Sequence, residues 1–277
     1  VTERRRISLG ARNVTPDEPE PLLAAPSPAA GRLELVHAEG VLRCGVVNHP
    51  PLSAWHYASD TAEFTGYYPE LARQVGRETG LEIEFVDMDW GRLPSAFTDE
   101  GLDVVLSIFE TRTRQEYADF AAALHKVGVS GVMSADRPPM VDVSELGAPD
   151  IKVGVVVGEV GWEYVTQELV LPRRNVIQVD SGTLRTAFSP LLSGEADIAI
   201  VDDLTCANFV AQHPGFQHVF TQDPLYLCKN SIMVPKGEPE FRRWIDTVFL
   251  DARRHPVLLQ LENETLAATG GWVKKFR

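Results

Sequence analysis

The chain has 277 residues, 44% of them hydrophobic, and a formal net charge of -13. That length and composition suit one large or two smaller buried cores, and the negative charge argues against a general electrostatic footprint for nucleic acid or an anionic membrane surface. No run of about 18 apolar residues exists to span a bilayer, and the basic "VTERRRISLGARN" start has no apolar segment behind it, so no signal peptide is visible and the compartment is not legible directly.

Residues 14–31 are rich in Pro and Ala without sustained periodicity, which predicts a tether; the arm is taken as residues 1–32. From Leu33 a short amphipathic segment leads to a strand, Val41–Val47, which opens into a polar, Pro-containing loop from Asn48 to Tyr57. A helix is expected next, with Leu71 and Val75 four apart, Pro69 near its start and Gly80 just past its end. "LEIEFVDM" alternates as a strand, "WGRLPSAF" reads as a short helical piece, and "LDVVLSIF" is a mostly apolar run expected of a buried strand.

The same order returns further on. Strand "KVGVVVG", helix "GWEYVTQEL", strand "NVIQVD", helix "GTLRTAFSPLLSG" and strand "ADIAIVD" follow one another, with Leu184, Phe188, Leu191 and Leu192 on one helical face. Two extended stretches, Lys126–Ala135 and Leu225–Gly237, predict a pair of strands crossing between halves as a hinge. The C-terminal segment spaces Phe241, Trp244, Ile245, Val248 and Phe249 at helical intervals, so the chain is expected to end on helices packed against the first half. The resulting plan is a discontinuous first lobe (33–131 and 230–277) and a second lobe (132–229).

Three cysteines, Cys44, Cys206 and Cys228, match no zinc spacing. Cys44 reads as a small buried hydrophobe, and pairing of Cys206 with Cys228 stays open. His49 and His56 share a loop with Asp60 nearby but lack further ligands, so no metal is expected; no Gly-x-Gly-x-x-Gly, phosphate loop or Gly-x-Ser-x-Gly occurs either, and no cofactor is expected.

Two stretches repeat one pattern, "DEGLDVVLSIFETRTR" and "SGEADIAIVDDL": Gly and Asp before an apolar run that ends in polar groups at the start of a helix. In open α/β sheets ligands bind outside the carboxyl ends of strands, which places Arg114 and Asp202 to face a shared cleft. A guanidinium fork matches a carboxylate, and a helix N-terminus would add free N–H groups. The plainer alternative makes Arg114 a solvated helix residue or an ion-pair partner of Glu110 or Glu116. For the acidic pair, Asp202 is expected to contact ligand and Asp203 to cap the following helix.

The ordered set "GVLRCGV", "PPLS", "GYYPELA", "DWGRLPSAF", "GLDVVLSIFETRTRQEYADF", "VGVVVGEVGWEYV", "EADIAIVDD" and "SIMVPKGEPEF" resembles the type II periplasmic solute-binding proteins of the polar amino-acid class, extracellular family 3, over residues 33–277. The resemblance implies an α/β fold of two lobes, each a mostly parallel sheet flanked by helices and joined by two crossover strands. It implies that Arg114 holds a ligand carboxylate and Asp202 its ammonium group, with Ser107, Phe109, Glu110, Gly158 and Glu159 at the strand ends. Asn48, His49, Trp55 and Tyr67 complete the candidate ligand-binding set.

Phe109 stands where the family commonly has a small hydroxyl residue, and Gly158-Glu159 where it has Gly-Thr; Glu159 therefore predicts a ligand with an ammonium or guanidinium ahead of glutamate or aspartate. The resemblance further implies capture of a small molecule for a membrane ABC permease, by a monomer, in a periplasmic or extracellular and possibly tethered setting. Two alternatives stay open: a sensor domain beside a membrane signalling protein, and a dehydratase-like enzyme using Glu159 and His49 as acid and base.

Overall fold

The structure, a computed structural model, describes residues 31–58, 61–180 and 186–276. The expected arm therefore falls almost wholly outside the described residues, as do Asp60 and Leu184. Helix α1 (Arg32–Glu39) leads into β1 (Val41–Val47), which is buried at every position from Cys44 onward, as a strand covered on both faces must be. The expected loop after it is instead a hairpin of β2 (Ala54–Ala58) and β3 (Thr61–Thr65), paired apart from the main sheet. Aromatic residues at Trp55, Tyr57 and Phe64 favour extended backbone, a preference hidden by the prolines beside them.

Helix α2 (Tyr67–Thr79) buries Tyr67, Tyr68, Leu71, Ala72 and Val75 along one face. It stops at Gly80, which takes the left-handed φ of 76° and returns its N–H to the Gly76 carbonyl. β4 (Glu82–Met88), a 3-10 turn at Trp90–Ser95 capped by Asp89, and β5 (Val104–Glu110) complete the first half as expected. The segment after β5 departs from expectation. It forms only one 3-10 turn, Arg114–Glu116, because the chain must enter the next strand at Ala118; no full helix lends Arg114 its dipole.

β6 (Ala118–Ser134) runs for 17 residues. β7 (Val153–Val156) is followed by α3 (Val160–Glu163), which widens into a π turn at Tyr164–Glu168 where Thr166 Oγ1 donates to the Trp162 carbonyl. The described part of the helix expected before residue 194 is only α4 (Ser189–Ser193), which follows β8 (Val176–Val179) and carries Pro190 in its first turn. β9 (Ile198–Asp202), α5 (Asp203–Gln212), β10 (Phe216–Val219), β11 (Tyr226–Pro235), α6 (Pro239–Ala252), α7 (Pro256–Ala268) and β12 (Val273–Lys275) finish the chain.

One sheet runs through the molecule in the order β4-β1-β5-β11-β6-β9-β7-β8, with β10 and β12 added to β6. Strands β4, β1 and β5 are mutually parallel, as are β8, β7 and β9. β6 and β11 lie antiparallel between these two groups, so the two extended stretches singled out in the sequence are the crossover pair of a two-lobed fold. Phe241, Ile245 and Phe249 of α6 are buried in the same core as Leu71 and Val75 of α2, which returns the C-terminal helices to the first half. Cys44, Cys206 and Cys228 are buried free thiols.

Two glycines fix how closely α3 meets its neighbours. A Cβ on Gly161 would lie 2.1 Å from the Ile200 carbonyl oxygen, and Gly158 takes a φ of 80° with space ending 2.9 Å away at the Trp90 carbonyl. Gly161→Ala must therefore push α3 off β9, and a loss of about 2–3 kcal/mol is expected in urea unfolding; an unchanged midpoint would show that α3 does not seat on β9.

Candidate functional site

Strand ends build the site. β5 delivers Phe109 and, one turn on, Arg114; β1 delivers His49; β7 delivers Gly158 and Glu159, with Glu163 following on α3; β9 delivers Asp202. β5 also carries a bulge. Ser231 pairs with Ile108 but Met233 with Val105, so β5 holds one extra residue there, and Ser107 absorbs it at a left-handed φ of 61°. Ser107 Oγ accepts from Asn230 Nδ2 at 3.1 Å, which ties the bulge to the crossover strand β11.

Arg114 is completely buried. Its Nε donates to Glu163 Oε1 at 2.7 Å, Nη1 to the Phe109 carbonyl at 3.0 Å and Nη2 to the Gly158 carbonyl at 3.0 Å. The guanidinium lies 5.5 Å from the centre of the Trp90 ring, within cation–π range. Thr111 Oγ1 donates to the other oxygen of Glu163. Burial, the largest single influence, disfavours the charge, yet Glu163 together with Tyr117, Glu159 and Cys228 outweighs it and holds the Arg114 pKa above its usual value.

A second pair bridges the same two halves. His49 Nε2 lies 3.1 Å from Asp202 Oδ1, both side chains buried, and the His49 ring meets Phe109 edge-on at 5.4 Å between centroids. Asp202 also accepts from the Thr205 backbone N–H at 3.0 Å and from Thr205 Oγ1 at 2.6 Å. Burial pushes its pKa upward, but His49 and Thr205 overcome that and hold the carboxyl below the usual range.

Glu159 is also fully buried. One of its oxygens accepts from the Gly161 N–H at 2.7 Å, and the other, Oε1, has no hydrogen-bond partner among the described residues. Burial first, and the Asp202 charge second, push its pKa up to about 8. Arg114 and Glu163 also act on it, so Glu159, Asp202, Arg114 and Glu163 form one electrostatic cluster between the halves. A cavity of about 10 Å³, bordered by Thr111, Arg112, Val160, Glu163 and Tyr226, is left beside it, space for roughly one water and for no metabolite.

Residues 42–266 match the bacterial extracellular solute-binding proteins, family 3. The chain belongs to that family. Relatives of this family 3 protein include the cyclohexadienyl dehydratase of Pseudomonas aeruginosa, 23% identical over 230 residues and covering 81% of this chain and 83% of that protein. The L-cystine-binding protein TcyJ of Escherichia coli is 21% identical over 243 residues, covering 86% of this chain and 87% of that one. A cysteine-binding protein from Campylobacter jejuni has the same fold, with a TM-score of 0.70 at 22% identity across 87% of this chain and 94% of its own.

Of the residues singled out in the sequence, Arg114, Asp202, Phe109, Gly158, Glu159 and His49 meet between the halves of this solute-binding fold. Others do not. Glu110 turns outward, accepting from Gln115 Nε2 at 2.8 Å and lying 3.6 Å from Lys229, because it faces away from Phe109 on the same strand. Tyr67 packs in the first-half core against Tyr68 and His125. Asn48 spends its side-chain oxygen on the Trp55 N–H at 2.7 Å, which closes the loop into the hairpin, and Trp55 stacks edge-on with Tyr57.

The expected cap assignment is also reversed. Asp202 itself caps α5, while Asp203 lies in the first turn, 3.5 Å from His218. Arg114 does form an internal ion pair, though with neither Glu110 nor Glu116. Its partner, Glu163, escaped the sequence reading; the signal was its place four residues after Glu159, one helical turn along the same face.

Proposed function

We propose that the protein captures a small, cationic, amino-acid-like ligand between its lobes, residues 33–131 with 230–277 and residues 132–229, and presents it in closed form to a membrane ABC permease. One observation carries this: Arg114 and Asp202, buried on facing halves, each meet an ionisable partner from across the boundary, Glu163 at 2.7 Å and His49 at 3.1 Å. Such pairs lose their partners when the halves part, so an open form exposes a guanidinium and a carboxylate to solvent and to ligand. Arg114, Asp202, Glu159 and His49 are all buried, so a ligand reaches them only when the halves part. The family's extracellular setting and the amino-acid ligands named for relatives support capture in the periplasm or outside the cell; in this reading the protein acts as a monomer, hinged on β6 and β11.

A thermal-shift screen of amino acids, amines and small carboxylates tests the proposal. A ligand at a hundred times its dissociation constant should stabilise the protein by about 2.7 kcal/mol, with basic amino acids and amines ahead of glutamate. No shift and no heat of binding across several hundred polar metabolites would refute it.

A second function has Glu159 in its favour. A carboxyl group with a pKa of about 8 is protonated at neutral pH and suits a general acid that expels a hydroxyl, the chemistry named for the dehydratase relative. Incubation with cyclohexadienyl alcohols tests it: an aromatic product that disappears in Glu159→Gln would establish an enzyme, and return of the compounds unchanged would leave a binder.

A further inference from the structure

We propose that Glu163 is a built-in carboxylate for the Arg114 clamp, so that the cleft selects ligands that carry a cationic amine and no carboxylate. The proposal rests on the capture function above. Arg114 and Thr111 hold Glu163 with a guanidinium N–H on one oxygen and a hydroxyl on the other, the pattern of donors that a ligand carboxylate would need. The remaining guanidinium bonds go to the Phe109 and Gly158 carbonyls. The seat is full from within.

Glu163 does not reach this seat by chance of a loose side chain. It is only 5% exposed, its N–H bonds to the Glu159 carbonyl at 3.1 Å, and Gly161 seats the same turn against the Ile200 carbonyl. A ligand carboxylate entering the clamp must evict Glu163, leaving a second buried negative charge beside Glu159 and Asp202 without a partner. A ligand lacking that group evicts nothing there. The other end is short of donors once Glu159 gives up its proton to solvent on ligand entry: Glu159 Oε1 is buried with no partner, and Asp202 meets only His49 from the facing half, among the described residues. An ammonium or guanidinium completes that end.

Pairs of compounds that differ only by the carboxylate test the proposal: arginine and agmatine, lysine and cadaverine, phenylalanine and phenethylamine. Each is titrated calorimetrically into the wild-type chain, Glu163→Ala and Glu163→Gln. In the wild type the amine of the best-binding pair should bind at least about tenfold more tightly than its amino acid. Glu163→Ala should reverse that order, because the vacated seat admits a ligand carboxylate, and acetate should raise its melting temperature while leaving the wild type unmoved. If Glu163→Ala does not fold, Glu163→Gln, which keeps the shape and loses the charge, should still narrow the ratio severalfold. A wild type that prefers the amino acid, or a ratio that neither variant changes, overturns this proposal and leaves capture standing. No binding of any pair member by any of the three proteins overturns capture and this proposal together.

Discussion

Arg114→Ala is expected to lower stability by about 3–5 kcal/mol, the cost of leaving one member of a buried, hydrogen-bonded ion pair alone. The loss does not come from the Coulomb energy of the pair, because desolvating two charges offsets most of that. It comes from Glu163, which stays buried with its guanidinium gone, and from the Phe109 and Gly158 carbonyls, which lose the donors that bridge the two halves. Arg114→Lys should lose most of the same energy, since a single ammonium cannot serve two carbonyls and a carboxylate at fixed angles. The double variant Arg114→Leu with Glu163→Leu should regain a large part of it, because no charge is then left unpaired. Urea unfolding of the wild type and the three variants measures this; a single-variant cost below about 1 kcal/mol would mean that solvent reaches the pair as it does an ordinary surface bridge.

The second large effect is a dependence of stability on pH. Glu159 has a pKa of about 8 when folded and near the ordinary 4.5 when unfolded. Between those values the folded state holds a proton that the unfolded state has released, so the contribution is complete below about pH 4.5 and is lost as pH rises through 8. The slope approaches about 1.4 kcal/mol per pH unit. His125, whose pKa burial lowers, works in the opposite sense below its ordinary 6.5, and Asp202 and Glu262, held low by their partners, act only in acid. The difference between wild type and Glu159→Gln isolates the Glu159 contribution: the variant should lose less stability between pH 5 and 8, and parallel curves would show that Glu159 is ionised and solvated.

Much of this was legible in the chain because strands covered on both faces write themselves as nearly continuous apolar runs. Val104–Phe109 and Ile198–Val201 did so, and the charged residues just past them fell at the sheet's carboxyl edge by necessity. What escaped depends on contacts distant in sequence. The spacing of Glu163 from Glu159 sets only the helix face it shares; it does not say that Glu163 reaches Arg114, 49 positions away, or that His49 reaches Asp202 across 153. Glu110 and Tyr67 fall outside the buried cluster for a related reason: each lies near candidate site residues in sequence, but strand alternation and the α2 face turn them elsewhere. The hairpin at Ala54–Thr65 was masked by Pro50 and Pro51, which end the preceding strand without preventing a new one.

The central claim is that a cation is held at Asp202 between the closed lobes, and Asp202→Asn tests it most directly. Asparagine is as good a helix cap as aspartate, so α5 keeps its N-terminus while the cleft loses one charge. Calorimetric titration of the tightest of arginine, lysine, agmatine and cadaverine into both proteins should show binding weakened by about 2–5 kcal/mol in the variant, the cost of removing one partner of a buried charge pair. Equal affinity in the two proteins would contradict the account and move the ligand away from the cleft.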